Sequence, residues 1–231
     1  MNPVLWGIVP GVRRMGRPMV RRLGISVFAL VLTVATAAVA AYDDTWYRAD
    51  FWGREYPSGF TLTEDVTIDI RSEPDRDAAK TIGCDLSKNA TYHPWNQNRT
   101  EERKLEFVTF TKVRRYDINR DYRAEVSREG DNAATTIDFK DGDRWEYLTY
   151  GSEGFFLMRF NGEHYVAGQD LFEVSTDLDK DAEGANSVDE WLQLTCDNGT
   201  VGWLLVKDVE GLPAFGEPNT LDYGSAADKT D

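Results

Sequence analysis

Imidazole and thiol groups are scarce in this chain, which holds two histidines, His93 and His164, and two cysteines, Cys84 and Cys196. A structural zinc site wants about four Cys/His ligands at close spacing and a catalytic one about three, and neither pattern occurs. A thiolate nucleophile needs a histidine base beside it, but both cysteines sit in apolar alternating runs that read as interior. The G-x-S-x-G elbow is missing around Ser152, as are the Walker and dinucleotide glycine patterns. No segment sustains a 3.6-residue apolar period, which confines helix to short turns such as residues 75–80. Catalytic residues, a resident metal and a cofactor are therefore expected to be none. The remaining enzymatic reading is an envelope hydrolase using a carboxylate pair.

Acid is missing from the first forty residues, where Arg13, Arg14, Arg17, Arg21 and Arg22 supply all the charge. An apolar run from Leu23 to Leu32 follows, then small residues ending Ala38-Val39-Ala40. A basic stretch, a short apolar stretch and an A-x-A site compose a secretory signal peptide, with cleavage expected between Ala40 and Ala41. The alternative is an uncleaved anchor, because the apolar segment reaches about 18 residues when its Ala/Thr end is counted. No cysteine lies near the site to carry a lipid. The expected location is periplasmic or secreted, with membrane contact only during export.

Basic residues are in deficit beyond the leader. The chain carries 26 basic and 40 acidic side chains, a formal charge of −14; without the five leader arginines, 21 stand against 40, or −19. Such a surface repels nucleic acid and anionic lipid and favours cationic partners, or serves solubility alone. Trp46, Trp52, Trp95, Trp145, Trp191 and Trp203, with many Tyr and Phe, argue for a packed core rather than disorder.

What is abundant is period-two alternation. Val66-Thr67-Ile68-Asp69-Ile70 alternates as a strand, and further strand-like runs cover 81–86, 90–95, 105–116, 122–127, 135–139 and 145–150. Gly and Asp clusters separate them at short intervals, which is the all-β signature. Two hairpins stand out: 155–160 meets 163–167 across Asn161-Gly162, and 190–196 meets 201–206 across Asp197-Asn198-Gly199-Thr200. Asn-Gly accepts the positive φ angles that match strand twist. Residues 41–60 lack periodicity and read as an irregular arm, and residues 213–231 read as a disordered tail.

Ile82, Cys84 and Leu86 share one face of their run, as do Leu192, Leu194 and Cys196. Both thiols should therefore point into apolar interior, and an even count in an oxidising compartment predicts a Cys84–Cys196 disulfide. Two separately buried thiols are the alternative. Residues 179–190, read as a twelve-residue calcium loop, place Asp179, Asp181, Glu183, Ser187 and Glu190 at ligand positions with Gly184 at the sixth. Asn186 stands where an apolar anchor belongs, so a plain solvated loop is the competing reading. The aromatic candidate is Tyr92-His93-Pro94-Trp95, where Tyr92, His93 and Trp95 would form a stacking platform for a sugar or peptide. Alternatively Tyr92 and Trp95 cover the mouth of the core.

Trp191-Leu192-Gln193-Leu194-Thr195-Cys196-Asp197-Asn198-Gly199-Thr200-Val201-Gly202-Trp203-Leu204 resembles the closing hairpin of bacterial SH3-like (SH3b) domains. Ile68-Asp69-Ile70-Arg71-Ser72-Glu73-Pro74 is similar to that family's opening strand and Arg-x-x-Pro element. The strand from Ala78 to Cys84 and the turn Lys88-Asn89-Ala90-Thr91 follow in family order. The resemblance covers about sixty residues, 61–95 plus 189–212, and a gap of about ninety replaces the usual few. It implies an all-β architecture of small SH3-like barrels, the outer one interrupted by a nested β-rich insert, 96–188. The rhythm from Lys140 to Leu171 marks that insert as a second SH3-like unit. The disulfide would then staple the two halves of the outer unit. The implied function is a non-catalytic periplasmic binding module recognising peptidoglycan or a wall-associated protein. The alternative is a structural adaptor that binds another envelope protein through its acidic face.

Overall fold

The computed structural model describes residues 41–51, 58–93, 106–130 and 133–218. Alternating apolar and polar side chains pass through these segments as antiparallel strands, and the chain is all-β. Three sheets form. The first contains β1 (Trp46–Ala49), β3 (Val66–Arg71), β4 (Lys80–Leu86), β6 (Phe107–Lys112), β14 (Val188–Thr195) and β15 (Val201–Leu205), in the order β1-β6-β14-β15-β3-β4. The second takes β7 (Arg114–Ile118), β8 (Tyr122–Arg128), β9 (Ala134–Phe139), β10 (Arg144–Tyr150), β11 (Phe155–Phe160), β12 (Glu163–Gly168) and β13 (Ser175–Asp177), in the order β13-β7-β10-β11-β12-β8-β9. The third is small: β16 (Phe215–Gly216), β2 (Phe60–Leu62) and β5 (Thr91–Tyr92), in that order.

The middle strands of the first sheet, β6, β14 and β15, bury side chains on both faces, whereas β3 alternates between buried and exposed. Along β14, Leu192 and Leu194 enter a core with Phe60, Leu62, Ile70, Cys84, Leu86, Phe107, Cys196 and Leu204. The preceding Trp191 points the other way, into a cluster with Val108, Phe110, Trp203 and Leu205 that Tyr42 and Trp46 cover. Cys84 and Cys196 are disulfide-bonded, with Cα atoms 5.1 Å apart at a sequence separation of 112. Their inward phase on β4 and at the end of β14 is what brings the two sulfurs together. Beside the bond the backbone N–H of Asp197 donates to the carbonyl of Asp85 at 2.8 Å, and the Asn198 side chain donates to the carbonyl of Gly83.

The second sheet buries an aromatic core. Trp145 is fully buried, stacked on Tyr116 at 4.5 Å and on Phe156 at 5.4 Å. The one-turn helix α1 (Asp170–Glu173) closes this core with Leu171 and Phe172. Its carbonyl at Leu171 accepts from the Ser175 hydroxyl at 2.7 Å, and that hydroxyl accepts the Trp145 indole N–H at 3.0 Å. The β11–β12 turn has Asn161 at φ 52° and Gly162 at φ 81°, the pair of positive angles that Asn-Gly supplies.

Four expectations change. The run 105–116 is not one strand: it breaks at Val113, so β6 joins the first sheet and β7 the second. Residues 107–112, expected within the insert, stand in the first sheet, because β6 pairs with β14 from Phe107↔Leu192 to Thr111↔Val188. The arm is not irregular throughout, since β1 pairs with β6 through Trp46↔Lys112 to Ala49↔Thr109. The tail is not wholly disordered, since Phe215 and Gly216 pair with Leu62 and Thr61. In each case backbone pairing with a sequence-distant strand overrides a locally irregular pattern.

Candidate functional site

A cleft of about 660 Å³ opens where the start of β2, the end of β10, the start of β14 and the segment after β15 converge. Its size falls within the usual ligand-pocket range. Phe60, Tyr150 and Phe215 give it apolar wall, and Glu190, Glu210 and Glu217 give it three carboxylates against the single ammonium of Lys207. Glu190 reaches the cleft because strand alternation sends it to the opposite face from Asp189 and Trp191. Its carboxylate accepts from the Ser58 hydroxyl. The Tyr150 hydroxyl accepts the Gly154 N–H at 3.1 Å, which fixes the ring at the end of β10. The short 3₁₀ turn Val206–Asp208 swings Lys207 back toward β14.

Lys207 is committed behind the cleft, to a carboxylate that the sequence reading passed over. Asp189 is fully buried and accepts from Tyr42 Oη at 2.5 Å, from Arg76 Nη2 at 2.6 and 2.5 Å, and from Lys207 Nζ. Burial pushes this carboxyl upward, but the donors Arg76, Lys207 and Tyr42 outweigh it and hold the group below the ordinary carboxylate range. Tyr42 also accepts the Trp191 indole N–H at 2.9 Å and stacks on Phe110 at 3.8 Å. Burial and the bond to Asp189 raise its phenol well above the ordinary value. A fully enclosed carboxylate, ionised at neutral pH and held by three donors, is an anchor for the arm, not a proton-transfer group.

The arm has a second anchor on the second sheet. The Tyr47 ring lies 5.8 Å from that of His164, whose Nδ1 is 2.8 Å from the Glu129 carboxylate. Burial, then the nearby Glu129, push the Tyr47 phenol up to about 12.

Of the platform expected from Tyr92, His93 and Trp95, Tyr92 and His93 lie within the described residues. Tyr92 lies on β5 and packs half-buried against the first core, its ring 5.3 Å from that of Phe60. His93 is buried, only 5% exposed. The backbone of Gly59 presses on both residues, since a Cβ there would stand 2.1 Å from the Tyr92 carbonyl oxygen. Pro94 and Trp95 lie outside the described residues. The calcium reading fails on geometry. The Asp179 carboxylate is taken by Arg115 at 2.6 and 3.1 Å, Glu190 faces the cleft on β14, and successive turns carry 179–187. Among the described residues no group of three or more His, Cys, Asp or Glu is arranged to hold a metal.

The cleft residues come from four stretches far apart in the chain. The one local signal that touched them was Glu190, through its place in the calcium pattern. Compared with protein-family models, curated proteins and solved structures, the chain finds no match.

Proposed function

We propose that the chain is an exported, non-catalytic binding module of the cell envelope, with an SH3-like outer unit, that takes a cationic segment of a wall-associated protein into the cleft beside β14. The observation that carries this reading is the cleft itself, with Glu190, Glu210 and Glu217 facing one ammonium that already serves Asp189. Its aromatic walls add apolar contact, and the charge of −19 from Ala41 onward draws basic partners toward it. The outer unit is read as SH3-like from the Trp191–Leu204 hairpin and the Arg71–Pro74 element, which stand on β14, β15 and the end of β3 in one sheet. Export rests on the leader, and the bonded cysteines suit an oxidising compartment. The reading as non-catalytic rests on His93 being buried, His164 being engaged by Glu129, and both thiols being bonded.

The test is fluorescence anisotropy with a dye-labelled alternating Lys-Trp hexapeptide and the oxidised protein from Ala41 to Asp231. Saturable binding is expected, weakened about tenfold or more, roughly 1.4 kcal/mol, by Glu190→Gln/Glu217→Gln, and weakened further by salt. Equal affinity in the double variant sinks the cleft as the site. Pelleting with purified sacculi that ignores both the substitutions and salt transfers the ligand role to peptidoglycan.

A further inference from the structure

Every open sheet must end somewhere, and an unprotected edge strand is a template for another chain. Three of the four edges of the two large sheets are blunted. At β4 the pairing with β3 shifts register around Gly83, which sits at φ 89°, and the Asp197–Asn198 turn lies along it, bonding Asp85 and Gly83. Strand β1 is four residues long and ends beside the Arg48–Asp50 ion pair. Strand β13 is three residues long.

The fourth edge is β9. It pairs with β8 in unbroken register from Tyr122↔Phe139 to Ser127↔Ala134, and among the described residues no strand pairs with its other side. It holds no proline, lysine or bulge. Its single charged residue, Asp138, is neutralised by Arg123 at 2.6 and 3.2 Å. A locally neutral, regular edge is an exception on a chain of net charge −14. The core face of this strand is also incomplete. Phe139 and Ile137 pack on the aromatic core, but Thr135, on the same side of the strand, is exposed.

We infer that the outer edge of β9 is a self-association surface, on which a second copy lays its own β9 antiparallel across a two-fold axis. The strand is self-complementary for this purpose. Centred on Thr136, the pairing sets Thr136 beside Thr136 of the partner subunit and Thr135 beside Ile137 of the partner subunit. Threonine and β-branched neighbours are favourable cross-strand pairs. The same register places the two Asp138 residues four positions apart along the strand direction, about 13 Å, beyond the Debye length at physiological salt. One continuous sheet results, and Thr135 gains a neighbour over its bare side.

Sedimentation velocity on the oxidised protein from Ala41 to Asp231 tests this. A concentration-dependent dimer is expected, and it should tighten as salt rises. Salt screens the repulsion between two acidic chains while leaving backbone hydrogen bonds intact. That dependence is opposite to the one expected for the cleft, so the two readings fail separately. Thr136→Asp, at an exposed position, puts like charges on the axis and should weaken the dimer by at least about tenfold, whereas Thr136→Val should keep it. Amide exchange along 134–139 should slow with protein concentration. A monomer at all salt concentrations up to roughly millimolar protein, or a dimer that Thr136→Asp leaves intact, overturns the proposal.

Discussion

The first sheet draws its strands from 46–49, 66–86, 107–112 and 188–205, whereas the second takes all seven from 114–177. The second closes through neighbouring hairpins, β8–β9, β10–β11 and β11–β12, around stacked rings. The first must bring its halves together across that entire segment, and there the chain places its disulfide. Local pairing forms early and closes short loops, while non-local pairing bears the loop-closure entropy. The second sheet also shortens the problem for the first. Its first and last strands along the chain, β7 and β13, pair through Ile118↔Ser175 to Tyr116↔Asp177, which brings Lys112 to within a hydrogen bond of Ser187 at 2.9 Å. Strands β6 and β14 then continue the same neighbourhood into the first sheet. The inserted segment is a folded clamp, not a slack loop.

The largest expected effect comes from breaking the covalent half of the comparison. Cys84→Ser/Cys196→Ser should lose about 4–5 kcal/mol, the chain-entropy value for a closed loop of this size, measured by urea unfolding. If the second sheet stays folded while the first opens, the effective loop is roughly forty residues and the loss falls by about 1 kcal/mol. Native-state hydrogen exchange separates the two cases, because only the second leaves 144–168 protected. Full cooperative loss of protection in both sheets would erase the distinction between them.

Trp145→Ala attacks the other half. Emptying a fully buried indole should cost roughly 3–5 kcal/mol. The first sheet should weaken with the second, because β6 and β14 depend on the clamp. An unfolding curve that splits in two, with the first sheet unmoved, would show that the disulfide alone holds the outer halves.

The smallest effect concerns the arm that touches both sheets. Tyr42→Phe removes the bond to Asp189 and should cost roughly 1–2 kcal/mol, read as faster exchange at Trp46–Ala49. Acid should do the same. Asp189 has a depressed carboxyl, so its contribution is complete above the ordinary value of 3.8 and is lost as pH falls through the lower folded value. Exchange along β1 should hence be flat near neutrality and rise only in strong acid. A rise between pH 5 and 7 would show that Asp189 is not the group that holds β1.

Much of the strand pattern was legible. Val66–Ile70, Trp145–Tyr150 and both hairpins follow from alternation and from turn residues that accept positive φ. The inward phase of Cys84 and Cys196, with the even count, pointed to the bond that the two form. The break at Val113 was not legible, because no glycine or proline marks it between Phe107 and Ile118 although the two ends serve different sheets. Trp46–Ala49 reads as irregular because its pairing partner, β6, lies some sixty residues on and supplies the regularity. The surroundings of the candidate site were less legible. Tyr92 and His93 form a conspicuous aromatic string, yet their burial depends on Phe60 and Gly59, a stretch with no signal of its own.

By itself the sequence determined the all-β class, the two tight turns and the inward phase of both cysteines. These depend on period-two alternation, on φ preference and on side-chain direction along a strand, all local properties. Only the tertiary structure decided that Asp189 is sealed under Tyr42, Arg76 and Lys207 while its neighbour Glu190 lines a cleft with Glu210, Glu217 and Tyr150. Adjacent residues on a strand face opposite ways. What each one meets is set by elements from elsewhere in the chain, and no local pattern encodes that convergence.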